Sequence, residues 1–165
     1  MNEIFSLFSS PMIETHTIAE ILETNNDTAR FGLTLSLADA KALANTRQTA
    51  LAANGRIEFG GGTIEKLIEK FSDSPYISQN NYAETLHTLV ETFYYFKGEF
   101  LETLGDDELL DLMKEFFDRS CQGSLELLQH RELEIAARNL RYGQKEYQCV
   151  FKTEEDIDEE EGNEE

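Results

Sequence analysis

"NNYAETLHTLVETFYYFKGEFLETLG", residues 80–105, is the longest periodic run in the chain. Tyr82, Leu86, Leu89, Val90, Phe93 and Phe100 recur at the 3.6-residue period, so one stripe is apolar and the remainder polar. The pattern predicts a central helix buried along that stripe. Gly98 sits inside it, and because glycine costs a helix about 1 kcal/mol relative to alanine, it marks either a break or a close helix contact. Tyr94 and Tyr95 fall beside and opposite the Phe93 stripe. At least one of the two is therefore expected on the surface, where tyrosine is suited to protein contact.

Helical patterns flank this segment on both sides. From Ser36, "SLADAKALANTRQTALAANG" carries a capping-box pair, Ser36 and Asp39, and a left-handed stop at Asn54-Gly55. Leu37, Ala40, Ala44 and Leu51 share a face with Arg47 among them, so the guanidinium either reaches solvent, the commoner outcome for arginine, or meets an internal carboxylate. Thr63 reads as the cap of a helix through Phe71, with Ser74-Pro75 as its end. Asp106 opens "DDELLDLMKEFFD", its acids at the positive end of the helix dipole. Gly123-Ser124 restarts a helix with Leu125, Leu128, Leu133, Ala136 and Leu140 inward. Residues 13–24 form a shorter candidate, and "RFGLTLS" reads as an extended connection.

The expected class is mainly α: a single helical, bundle-like domain over residues 1–152, with at most a small strand pair. The strand would be "RIEF", residues 56–59, with Ile57 and Phe59 pointing inward and Arg56 and Glu58 outward by strand alternation. Its candidate partners are "FGLTL" at 31–35 and "EYQCVF" at 146–151. Residues 153–165 hold nine acidic side chains and no basic one, which predicts a disordered acidic tail.

The chain has 165 residues, 33 acidic and 14 basic, for a net charge of −19. Without the tail, 24 acids still face 14 bases, leaving about −10, and no basic run is present. Nucleic acid and anionic membranes are poor partners for such a surface, because binding them requires Lys and Arg to displace counterions. Cys121 and Cys149 stand too far apart to suggest a disulfide framework or zinc knuckle, and no apolar stretch approaches the roughly 20 residues of a membrane span. A cytoplasmic location is the expectation.

Seven segments in series, "FGLTLS", "NGRIEFGGG", "SPYI", "NYAETL", "FYYFKGE", "DDELLDLMKEFFD" and "CQGSLELL", resemble a bacterial family classed only as a domain of unknown function. The resemblance covers about residues 28–142 and carries no catalytic residue or cofactor. It implies a protein partner, since members of that family tend to be encoded beside a longer protein.

Two functional readings follow. The first is a non-enzymatic interaction module that docks another protein through a surface including Tyr94 or Tyr95. The alternative is a small-molecule or anion-binding protein using the segment from Arg56 to Thr63: Arg56, Glu58 and the glycines Gly60, Gly61 and Gly62. Glycines before a helix can cradle phosphate on free backbone N–H groups. Yet no lysine follows them as in a P-loop, their spacing is not that of a dinucleotide fingerprint, and Glu65 would compete with an anion at the helix N-terminus. A structural corner is the better reading of the glycines, which permit positive φ and close backbone packing where the chain reverses between two helices. Glu84 and His87 have the spacing of a di-iron motif but lack the second copy such a site needs, so no metal is expected and His87 reads as a surface residue.

Overall fold

The computed structural model describes residues 11–58 and 62–143. Helices occupy Pro11–Glu23 (α1), Asn25–Thr28 (α2), Leu37–Ala53 (α3), Gly62–Phe71 (α4), Tyr82–Glu99 (α5) and Asp106–Asp118 (α6). The last helical stretch has three parts: one turn at Leu125–Leu127 (α7), a π-helical turn at Leu128–Glu132, and Leu133–Arg141 (α8). The described residues contain no β-strand, and the fold is mainly α. Among the described residues no helix is long and apolar enough to cross a membrane.

The cross-helix contacts give the topology. Thr46 meets His87, while Ala42 and Leu43 lie beside Ala83, a constant offset that makes α3 and α5 parallel. Lys66–Asp107, Lys70–Asp111 and Asp73–Lys114 ascend together along α4 and α6, so these two are also parallel. Thr63 at the start of α4 touches Asp106 at the start of α6, and Asp106 touches Lys97 near the end of α5. The α4/α6 pair therefore runs against the α3/α5 pair. One end of the bundle gathers the C-termini of α3 and α5 with the N-termini of α4 and α6.

The predicted stripes form the core. Tyr82, Leu86, Leu89, Val90, Phe93 and Phe100 are all buried, and Leu109, Leu110, Met113, Phe116 and Phe117 pack from α6. Leu37 is the exception: it lies in the first turn of α3 and is exposed. Gly98 lies inside α5, and an added Cβ would meet nothing within 4 Å, so it marks neither a break nor a close contact. At Gly123 the reverse holds. Its φ of +82° suits glycine, and a Cβ there would stand 2.5 Å from the Cβ of Tyr76, whose ring packs edge-on against Phe117.

The caps appear largely as the residues dictate. Asp39 N–H donates to Ser36 Oγ and Ser36 N–H to Asp39 Oδ2, a complete capping box. Gly55, with φ +64°, closes α3, and the Arg56 N–H reaches back to the Leu51 carbonyl at 2.8 Å. Thr63 is not the cap of α4: the helix begins at Gly62, and the Thr63 hydroxyl donates to Asp106 Oδ2 at 3.3 Å.

No strand forms at 31–35 or at 56–58. "FGLTL" cannot serve as a partner because side-chain amides already satisfy its backbone. Asn25 both donates to the Leu35 carbonyl and accepts from its N–H, and Gln79 does the same with Thr34. Ile57 does not point into the core but is 46% exposed. Phe59 and "EYQCVF" lie outside the described residues, as does the acidic tail.

Candidate functional site: a charged cleft where four helix ends meet

The floor of the site is built by a buried cation. Arg47 sits in the apolar face of α3 and is fully buried, not snorkelled to solvent. An isolated interior charge costs several kcal/mol, so the alternative reading, an internal carboxylate, prevails. That carboxylate is Glu58, whose Oε1 and backbone carbonyl both lie 3.4 Å from Arg47 Nη2. Tyr94 reaches across from α5, its hydroxyl 2.9 and 2.8 Å from the two Glu58 carboxylate oxygens. Burial first, then the Glu58 charge, raises the phenol's pKa, so Tyr94 stays a proton donor.

Above this floor opens a cleft of about 550 Å³ lined by Arg56, Ile57, Glu58, Thr63, Lys66, Lys97, Glu102 and Asp106. Each rim charge comes from a different turn and is held by an opposite one. Arg56 pairs with Glu102, Lys97 Nζ lies 2.6 Å from Asp106, and Lys66 lies 3.3 Å from Asp107. The lining thus holds three cations against three carboxylates, in a chain whose acids outnumber its bases 33 to 14. The lining is charge-balanced, in a chain that is otherwise acidic.

The Glu102 side of the rim carries backbone strain. Leu101 and Glu102 both adopt left-handed conformations, φ 55° and 57°, just past the end of α5. Such a conformation costs a residue with a Cβ about 1 kcal/mol or more. Leu101 gains nothing from burial in return, being exposed.

The structure sorts the sequence candidates. Arg56 and Glu58 are brought together, but not as one outward strand face: Arg56 is on the rim and Glu58 in the floor. Gly62 begins α4, while Gly60 and Gly61 lie outside the described residues. Glu65 does not guard the cleft, because it faces α1. There burial, then the charges of Glu20, Glu23 and Glu69, push its carboxyl above the usual range, with His16 pulling it back. Tyr94 is buried in the floor and Tyr95 is 47% exposed. The Tyr95 phenol is raised by the Glu99 charge, by burial and by Glu134, against Arg141, which places it beside α8. His87 is half exposed and pairs with Glu91 and Thr46. Among the described residues no group of three or more His, Cys, Asp or Glu side chains could hold a metal ion.

Sequence reasoning missed Lys66, Lys97, Glu102 and Asp106 as rim residues. They are separated from Arg56 by up to fifty positions, and only the antiparallel return of α5 and α6 brings them together. Arg47 within an apolar stripe was the one signal in the sequence that a buried anion had to be near.

The model for the Family of unknown function (DUF6323) matches residues 20–146. The chain belongs to this family. The match spans the floor, the rim and both tyrosines of interest, so the cleft lies wholly within the DUF6323 domain. No curated protein and no solved structure matches the chain.

Proposed function

We propose that this protein is a binding module whose cleft takes a small polar solute bearing an oxyanion, a carboxylate or a phosphate. The observation that carries the reading is the convergence of Arg56, Lys66 and Lys97 on one cleft at the N-terminal ends of α4 and α6, in a chain this acidic. Guanidinium and ammonium groups are the natural partners of such oxyanions, and two positive helix ends add to their field. The buried Arg47–Glu58–Tyr94 floor holds the cleft in shape without ligand, which lowers the entropy cost of binding. Melting curves in the presence of succinate or inorganic phosphate test the reading. Saturating ligand raises the melting temperature of the parent, by the equivalent of about 2.7 kcal/mol at a hundredfold excess over Kd. Lys97→Gln abolishes the rise. No shift with either anion, or a shift equal in Lys97→Gln, defeats the reading.

A second reading, docking of another protein, is favoured by the exposure of Tyr95 and of Tyr142, which is 79% exposed and follows α8. Tyr94 has no place in it, because its side chain is interior. The acidic surface would select a basic partner and speed its association at low salt. Capture from lysate with the parent and with Tyr95→Ala tests this: a partner retained equally by both speaks against the tyrosine surface.

A further inference from the structure

We infer that Glu102 is a tethered competitor for the cleft's ligand: its carboxylate occupies the place on Arg56 that the solute's oxyanion takes, so binding exchanges one anion for another. The inference rests on the oxyanion reading of the cleft and specifies how that site opens.

An incoming anion that takes a cation of this site other than Lys66, whose partner Asp107 lies outside the lining, displaces one of three carboxylates. Glu58 is locked from below by Tyr94 and Arg47, with its side chain only 21% exposed. Asp106 is held by Lys97 and the Thr63 hydroxyl, and lies in the first turn of α6, where the helix dipole favours negative charge. Glu102 differs on every count. Its side chain is 63% exposed, its pairing partner among the described residues is Arg56 alone, and its backbone is left-handed beside a second left-handed residue. It also lies just past the C-terminus of α5, the end of a helix dipole that disfavours a carboxylate. Glu102 is therefore the cheapest of the three to release, and its departure bares Arg56 to the cleft.

The size of the effect follows from the strength of such a pair. An exposed ion pair worth about 0.2–1 kcal/mol occupies Arg56 most of the time, which weakens a competing anion roughly two- to sixfold. Calorimetric titrations with succinate and, separately, with inorganic phosphate read this directly. Glu102→Gln binds at least one of them roughly two- to sixfold more tightly than the parent. The control is Glu115→Gln, which removes the same charge from an exposed position paired with Arg119 on the body of α6, and leaves affinity unchanged. If the parent binds but Glu102→Gln binds no tighter, Glu102 is no competitor while the oxyanion reading stands. Equal tightening in Glu115→Gln would assign the effect to net charge and overturn the inference. Absence of binding in both the parent and Glu102→Gln overturns the inference and the oxyanion reading together.

Discussion

Tyr94 and Tyr95 are neighbours on one helix with opposite roles. The Tyr94 ring is interior and its hydroxyl completes a buried ion pair, whereas the Tyr95 ring lies against solvent among Glu99, Glu134 and Arg141. About 100° of helical rotation separates them, enough to move one aromatic from the core stripe to the surface. The contrast shows where polar chemistry is fixed in this fold and where it is free. In the floor of the cleft every charge is over-determined by partners from α3, α5 and the 56–58 segment. On the Tyr95 face the charges are exposed and contribute little to holding the fold.

The largest expected effect breaks the interior side of that contrast. Arg47→Met leaves Glu58 and Tyr94 without their cation and should destabilise the protein by roughly 3 kcal/mol in denaturant unfolding. Adding Glu58→Gln should recover part of the loss, because the orphaned charge is then gone. A loss under about 1 kcal/mol for Arg47→Met would mean the pair is not a structural floor.

Tyr94→Phe removes only the hydroxyl and so asks what that one proton does. The Glu58 carboxylate loses a donor, at a cost of about 1–2 kcal/mol, while Tyr95→Phe should be silent within about 0.5 kcal/mol. Equal effects from the two would erase the distinction between the faces.

Glu65 is the intermediate case: partly buried, and among like charges. Its folded-state pKa is raised above the unfolded value, so its ionised form opposes folding at neutral pH, and the fold gains stability as pH falls through the raised value. Just past the end of α4 the sign reverses. The hydrogen bond from Lys114 holds the Asp73 carboxyl low, so Asp73 contributes stability above its unfolded pKa that is lost as pH falls through the lower folded one. Glu65→Gln should thus raise the melting temperature at pH 7, with the gain shrinking as pH falls through the raised value and gone below the ordinary glutamate value of about 4.3. Asp73→Asn should lower it at pH 7 and converge with the parent only in stronger acid. Melting curves from pH 3 to pH 8 check both, and a Glu65→Gln variant less stable at neutral pH would contradict the first.

The smallest effect sharpens the exposed side. Tyr95→Ala should change stability by no more than about 0.5 kcal/mol, since its ring has little to lose on truncation. A loss above about 1.5 kcal/mol would place Tyr95 in the core despite its exposure.

The helices were legible because each carried its own period and caps: Ser36 with Asp39, Gly55, and the stripes from Tyr82 to Phe100 and from Leu109 to Phe117. Residues 56–58 form no strand because short alternation is satisfied equally by a connection whose charges are held by tertiary partners. Glu58 turns toward Arg47 and Ile57 toward the cleft. Arg47 was misassigned for a related reason. The general habit of arginine is to reach solvent, and only an interior carboxylate eleven residues away reverses it. The rim was illegible because it depends on which helix ends meet, a property of topology and not of local sequence.

A two-dimensional amide NMR titration of the uniformly labelled chain, with succinate and then with inorganic phosphate, tests the central claim most directly. The account predicts saturable shifts at Arg56, Glu58, Lys97, Glu102 and Asp106, with Tyr95 and Tyr142 unmoved. Shifts confined to Tyr95, Tyr142 and their neighbours, or no saturable shift with either anion, would contradict it.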